Sequence, residues 1–579
     1  MTHHKKRQKM SSINWKTLEC SQLVAELNGR GFDKVSSFLV NIDGSTFSKA
    51  TPQQIMNWGV SEKETTRLLS VLGSEYIEKN VEAKLVQYKQ EHVLAWLQKG
   101  LLTLEQAQEL GEELKSLDLQ RISTAFESTK MSSDSKEESI EPPDSETYDS
   151  IENMSLKQIS ELEDLGMNEI AAGKAAVIIL GGGQGTRLGF DGPKGLYDIG
   201  LPSSRSLFQI YSERIVKLQE LVSLNFPEKG TVMIPLFIMT SPLNHDITQN
   251  YFLQNSCFGL DPQHVHFFQQ GTLPALSSEG KIIMQSGSKV SLSPDGNGGI
   301  FNGLDISGAL SLLENTYHSN SVHVFSVDNV MCKVSDPIFI GHCLSRNADV
   351  GNKVVWKNNS HEKVGVVAKK GGKLAIVEYS ELTSEMAELK NNNNSKFVYG
   401  AGNICNHYFT VSFLRKVVNA YRTDCKVMPY HIANKKVNYA DIHTGQTTIP
   451  NEINAIKLEA FIFDCFSLSS SSSILEVNRY HEFGPVKNAP GSPSDSPDTA
   501  RRMLMDLHIE WATKAGAKFE YEQDSNNNQN GKFEISSKLS YDGEGLENEF
   551  ANKVFRFTSS NHFYVEENST MFCIPCGFF

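Results

Sequence analysis

Between residues 12 and 80 apolar positions recur at helical spacing and are interrupted by turns. Trp15, Leu23, Val24, Leu27, Phe38, Ile42, Phe47, Ile55 and Leu68 form the candidate core of a compact helical module. Residues 90–130 keep the helical register, with Leu, Trp and Phe set among Glu, Gln and Lys as in amphipathic helices that pack together. The texture then breaks. From Ser132 to Met154 the chain is acidic, carries Pro142 and Pro143 and has almost no large apolar residues, so 131–155 reads as an exposed acidic linker. Behind it the period changes. Ala175–Leu180 is a short continuous apolar run, the pattern of a strand buried on both faces. The stretch after it places Leu207, Ile210, Arg214, Leu218 and Leu221 on one helical stripe. Further strand-like runs, "IPLFIMTS", "HVHFFQQ", "SVHVFSVDN", "VGVVAKK" and "LAIVEYSE", alternate with helices and turns. This predicts a doubly wound α/β domain over 156–490, followed by a C-terminal part over 491–579. In such sheets ligands sit beyond the carboxyl ends of the strands, and that is where "QQG", "VDN" and "VEYSE" fall.

Charge and cysteine usage narrow the function classes. The chain has 579 residues and a net charge of −13, so no basic field exists to displace counterions along a nucleic-acid backbone. A local cationic pocket is still compatible with that balance. Nine cysteines are scattered without metal-ligand spacing, and "CIPC" at Cys573 and Cys576 is a lone pair that reads as ordinary thiols. The first residues lack the apolar core of a signal peptide, and no apolar run approaches the roughly 18 residues of a membrane span. A reducing, cytoplasmic setting with no nucleic-acid or membrane partner is the expectation.

The chemistry centres on "LGGGQGTRLGFDGPKG", Leu180–Gly195, directly after the first buried strand. Glycines let backbone N–H groups approach a phosphate closely. The dinucleotide fingerprint G-x-G-x-x-G fails in both registers, at Thr186 and at Leu188, and no Walker string occurs. What stands here, the Gly-rich turn with Arg187 and then P-K-G with Lys194, resembles the signature of the sugar-nucleotide pyrophosphorylases. Arg187 and Lys194 would bring positive charge to a nucleoside triphosphate.

The resemblance extends from about residue 155 to 560. "PKGLYDIGLPS", "FFQQGTLPA", "SPDGNGG", "VDN", "VGVV", "VEYSE", "AGNICNHYF", "IKLEAFIFD" and "PVKNA" follow one another in the order seen in the eukaryotic UDP-N-acetylhexosamine pyrophosphorylases. That resemblance implies a Rossmann-like, GT-A-like nucleotidyltransferase domain and a small β-rich C-terminal region at "FEISSKLSYDGEGLE". It also implies UTP and an N-acetylhexosamine 1-phosphate as substrates. Leu180, Gly181, Gly182, Gly183, Gln270, Gly296 and Asn297 would cradle the uridine, with the Gln270 amide suited to the donor and acceptor edge of uracil. Gly365, Glu378, Asn403, Phe461 and Phe463 would receive the sugar. Asp328 would hold Mg2+, which binds through one or two carboxylates plus substrate phosphates and so leaves a sparse signature. Lys457 and Lys487 would reach the sugar phosphate, and Arg187 and Lys194 the UTP. Read without the resemblance, Asp328 is a helix cap, Phe461 and Phe463 are core, and Lys457 is a solvated lysine.

Two further features set this chain apart. The run "NIDGSTFSKATPQQIMNWGV" followed by "RLLSVL" resembles a SAM (sterile alpha motif) domain, a five-helix interaction fold, which implies self-association or a protein partner through 12–80. A serine run near 467–474 stands where the family has a more helix-favouring, basic stretch, so a looser wall beside the sugar is expected. N-acetylglucosamine and N-acetylgalactosamine differ by one hydroxyl that no motif reads. The alternatives are therefore a related UTP:sugar-1-phosphate uridylyltransferase and a SAM-mediated scaffold with reduced catalysis.

Overall fold

Eleven strands build the central sheet: β1 (Ile140–Glu141), β2 (Tyr148–Ser150), β3 (Ala175–Leu180), β4 (Leu236–Thr240), β5 (Val265–Gln269), β6 (Ser321–Ser326), β7 (Val350–Trp356), β8 (Val366–Lys370), β9 (Lys373–Val377), β10 (Ala401–Thr410) and β11 (Ser472–Glu476). They run in the order β2-β11-β7-β10-β6-β3-β4-β5, and β8 joins β10 while pairing with β1 and β9. The computed structural model describes residues 14–131, 139–392, 395–424, 427–441, 446–521, 532–557, 561–566 and 572–575. Among the described residues no helix is long and apolar enough to cross a membrane.

The all-apolar run of β3 is buried on both faces, as its pattern predicts. Ala175, Val177 and Ile179 enter one core cluster with the helix Leu207–Asn225, and Ala176, Ile178 and Leu180 enter the opposite one. The expected helical stripe also holds: Leu207, Ile210, Arg214 and Leu218 are buried, and Arg214 Nη1 donates to the carbonyls of Val330 and Cys332.

The sheet is mixed. β6, β3, β4 and β5 are mutually parallel, and so are β2, β11 and β7. β10 runs antiparallel to both β6 and β7 and joins the two parallel blocks. "VGVVAKK" and "LAIVEYSE", expected as strands of a doubly wound sheet, form the antiparallel hairpin β8–β9.

The described part of the acidic 131–155 stretch is exposed over much of its length, as expected, but it is not without regular structure: β1 and β2 are sheet strands. Its polar groups are satisfied by distant residues, with Tyr148 donating to Glu476 and Asp149 bonded to His342 and Arg346. Residues 132–138 lie outside the described residues. The serine run is no loose wall either. Ser469, Ser470 and Ser471 bond the Asp349 carboxylate, and β11 then continues as an interior strand.

Two compact units divide the chain. The second contains the sheet and everything after Ala460, with a C-terminal part made of the helix Pro497–Lys514 and two small sheets. The first joins the chain before Lys136 to Thr272–Asp295 and Pro429–Glu459, both of which lie inside 156–490. In it the helices Cys20–Gly29, Asp33–Ser36, Gly44–Lys49, Pro52–Asn57 and Glu62–Ser74 enclose Trp15, Leu23, Leu27, Phe47, Ile55 and Leu68. Leu104, from the helix Leu104–Ser116, shares that core. Phe38, expected inside, is 49% exposed and lies over Gly59, while its neighbour Leu39 is fully buried. Val24 and Ile42 are half-buried.

Candidate active site

The loop after β3 is fixed largely through its own backbone. Gly181 N–H donates to the Met239 carbonyl at 2.8 Å, and Leu180 O accepts from Val327 N–H at 3.3 Å. Lys194 N–H donates to Gly183 O at 3.1 Å, folding P-K-G back onto the glycines. Gly195 makes this approach sterically feasible, because a Cβ there would lie 2.0 Å from the Phe208 ring. In the glycine turn, the N–H groups of Gly182 and Gly183 meet no protein acceptor among the described residues. Gln270 follows β5 and is nearly buried, with its amide against Gly182.

Asp328 follows β6, so the three parallel strands β3, β5 and β6 deliver the glycines, Gln270 and Asp328 from their carboxyl ends. Lys194 is half-buried within electrostatic reach of Asp328, Lys487 and Arg187. Burial lowers its pKa most; Asp328 opposes that shift, and Lys487 and Arg187 add to it. Three cations and one carboxylate predicted from separate motifs thus form one cluster. Arg187 and Lys487 are exposed at its rim. Among the described residues no hydrogen bond or ion pair occupies the Asp328 carboxylate.

A second group lies around β10. Asn403 N–H donates to Gly365 O at 2.8 Å, and a Cβ on Gly365 would lie 3.1 Å from Glu378 Oε1, so these three expected sugar contacts are neighbours. The Phe461 and Phe463 rings are 5.1 Å apart, centroid to centroid. Asn297 reaches both regions: its Oδ1 accepts from Ile462 N–H at 3.0 Å, and its Nδ2 contacts Cys405 Sγ at 3.8 Å.

Known proteins share this sequence and fold. The family described as UTP–glucose-1-phosphate uridylyltransferase matches residues 119–539. A UDP-N-acetylglucosamine pyrophosphorylase of Saccharomyces cerevisiae is 41% identical over 426 residues, covering 72% of this chain and 84% of the yeast protein. UDP-N-acetylhexosamine pyrophosphorylase-like protein 1 of Xenopus tropicalis is also 41% identical, over 72% of this chain and 81% of its own. The chain belongs to the UDP-N-acetylhexosamine pyrophosphorylase family. The crystal structure of the uridine diphosphate N-acetylglucosamine pyrophosphorylase from Trypanosoma brucei in complex with inhibitor is 28% identical. It covers 83% of this chain and 98% of its own with a TM-score of 0.69.

In this member of the pyrophosphorylase family the candidate site is held by residues that its motifs did not single out. Asn244 is fully buried after β4, where its Nδ2 donates to Gly181 O at 3.1 Å and its Oδ1 accepts from Ser241 N–H at 2.7 Å. Its signal was a polar residue just past the carboxyl end of a parallel strand, the position where such sheets bind ligands. Cys405, inside the quoted "AGNICNHYF", has φ of 52° at an irregularity in β10 and donates its N–H to Asn403 Oδ1 at 3.0 Å. Burial pushes its thiol up to about 12, and the nearby Asp328 adds to the shift.

Lys457 belongs to the first unit, on the strand Ala455–Glu459 opposite Ala433. It is half-buried, and burial lowers its pKa. No group of three or more His, Cys, Asp or Glu side chains among the described residues is placed to hold a metal. Cys576 of "CIPC" lies outside the described residues, as does the side chain of Cys573.

Proposed function

We propose that this chain transfers the uridylyl group of UTP to N-acetylglucosamine 1-phosphate, giving UDP-N-acetylglucosamine and pyrophosphate. The observation that carries the reading is the convergence of Gly182, Gly183, Gln270, Asp328, Lys194, Arg187 and Lys487 at the ends of parallel strands, beside Asn403, Gly365 and Glu378.

A phosphate oxygen of the sugar phosphate attacks the α-phosphorus of UTP in line, and the bond to the pyrophosphate oxygen breaks. No general base is needed, since the second pKa of a phosphate monoester is ~6 and the nucleophile is already mostly dianionic at neutral pH. The protein's task is to bring two anions together and stabilise the charge that builds on the leaving group. Lys194 and Arg187 face the triphosphate, and Lys487 the attacking sugar phosphate; the assignment of Lys457 to the sugar phosphate rests on the family resemblance. Gln270 pairs with uracil above the glycine turn, and Gly296 and Asn297 close the nucleotide side. Gly365, Glu378, Asn403, Phe461 and Phe463 receive the N-acetylhexosamine.

Asp328 suits Mg2+: it is a half-buried carboxylate at a strand end, unoccupied by protein donors among the described residues, and one carboxylate plus phosphates is a donor set this ion uses. When bound, the ion would neutralise phosphate charge.

Free thiols at Cys257, Cys332, Cys343 and Cys465 suit a reducing, cytoplasmic setting. Residues 12–80 are proposed as a SAM-like interaction module, on the resemblance of its sequence; light scattering of the full-length chain over a concentration series tests self-association. The functional division proposed is 12–80, 90–130, 131–155, 156–490 and 491–579.

The test is turnover of the purified chain with UTP, Mg2+ and a panel of sugar 1-phosphates. N-acetylglucosamine 1-phosphate should release pyrophosphate fastest. A preference for glucose 1-phosphate, or no release with any N-acetylhexosamine 1-phosphate, overturns the reading.

A further inference from the structure

At the end of β6 the turn residues Asp328 and Asn329 meet the loop that leads to Lys487. Asn329 is 2% exposed, and both ends of its amide are engaged. Nδ2 donates to Glu482 O at 2.8 Å, while Oδ1 accepts from Gly484 N–H at 2.9 Å and from Met331 N–H at 3.3 Å. Next to it, Asp328 O accepts from Val486 N–H at 2.9 Å, and Asn329 forms a β-bridge with Pro485. Lys487 is the following residue, and its own N–H donates to Asp495 O at 2.7 Å.

The near end of the loop is anchored in the interior. Glu482 pairs with Lys353 of β7, which is fully buried and pairs also with Asp336. Lys333 stands 4.0 Å from Glu482 and 2.6 Å from Asp542. A buried charge of this kind tolerates little displacement, because moving one partner leaves the other unpaired in low dielectric. The loop also has no slack at Gly484, where a Cβ would lie 2.7 Å from Met331 Cγ. Asn329 is therefore the side chain that joins the turn bearing Asp328 to the loop bearing Lys487.

We infer that Asn329 is a positioning residue that sets the spacing between the Asp328 carboxylate and the Lys487 ammonium, and that it acts on the reaction through Lys487 without touching substrate. The inference rests on the proposed role of Lys487 at the attacking sugar phosphate. A lysine has a long, flexible stem, so its value in a transition state depends on how firmly its backbone is held.

A double-mutant cycle on the full-length chain tests this, using Asn329→Ala, Lys487→Ala and the double variant, with kcat, KM for each substrate and thermal melting measured on all. Asn329→Ala should lower kcat about 10- to 100-fold with KM for UTP within about twofold of the parent. The double variant should be no slower than Lys487→Ala alone, within about twofold, because the amide has nothing left to position. If the two losses multiply, Asn329 does not act through Lys487 and the inference falls. Should Asn329→Ala fail to fold, Asn329→Asp enters the same cycle: it keeps an acceptor for Gly484 and Met331 but sets a carboxylate oxygen against the Glu482 carbonyl, so it should lower kcat when Lys487 is present and add no more than about twofold on top of Lys487→Ala. A Lys487→Ala enzyme that turns over at the parent rate would instead remove the underlying reading, whatever Asn329 does.

Discussion

A Cβ added to Gly182 would lie 3.0 Å from the amide carbon of Gln270, so a methyl group on the glycine turn fits only if the proposed uracil reader gives way. Gly182→Ala should push the nearly buried Gln270 amide out of its base-reading position. We expect KM for UTP to rise about tenfold or more with a smaller change in kcat, because a misaligned hydrogen-bonding edge weakens ground state and transition state alike. Steady-state kinetics with UTP varied check this; an unchanged KM would mean that Gln270 does not read the base.

Asp328→Asn should raise the Mg2+ concentration needed for half-maximal rate steeply, since an anionic oxygen donor is replaced by a neutral one. A Mg2+ titration at saturating substrates is the check, and an unshifted curve would take Asp328 out of the metal site.

Lys194 loses its proton at lower pH than an ordinary lysine, because burial disfavours the charged form. The alkaline limb of kcat/KM should therefore fall below the usual lysine range, as its positive charge disappears with rising pH. Arg187 pushes the Lys194 pKa down, so Arg187→Gln should move that limb to higher pH even as it slows the enzyme. A limb that stays put or moves down in the pH–rate profile would separate the two cations.

How much of this was legible in the sequence depends on where each residue finds its partners. β3 was readable because a strand buried on both faces must be apolar throughout, and its carboxyl end fixed the place of the glycine turn. β10 was not readable as a strand: Asn406 and His407 are buried polar residues, hydrogen-bonded to His323 and Asn352 on neighbouring strands, so the run lacks an apolar signature. β2 was hidden in the same way, its Asp149 answered by His342 and Arg346 nearly two hundred residues later. The motifs supplied the charged residues of the site. The amides of Asn244 and Asn329, which hold those residues in place, have meaning only once the distant carbonyls they bond are in position.

Glu534 docks the C-terminal part onto the "LPSS" loop, accepting from Ser203 N–H at 2.8 Å and Ser203 Oγ at 2.7 Å. Burial pushes its pKa up to about 7. Its folded pKa lies above the unfolded value, so its contribution to stability is complete below the unfolded carboxylate pKa and is lost as pH rises through about 7. The melting temperature should fall from about pH 5 to about pH 7 and level off above that, and fall less in Glu534→Gln, whose amide cannot ionise. Equal slopes in thermal unfolding of the two proteins would rule Glu534 out as the source.

Attack on the α-phosphorus of UTP is tested by following labelled phosphorus. With UTP labelled at the α-position and N-acetylglucosamine 1-phosphate, all transferred label should appear in UDP-N-acetylglucosamine; with label at the γ-position, all released label should appear in pyrophosphate. Release of γ-label as orthophosphate, its transfer to the sugar phosphate, or no transfer of α-label would contradict it.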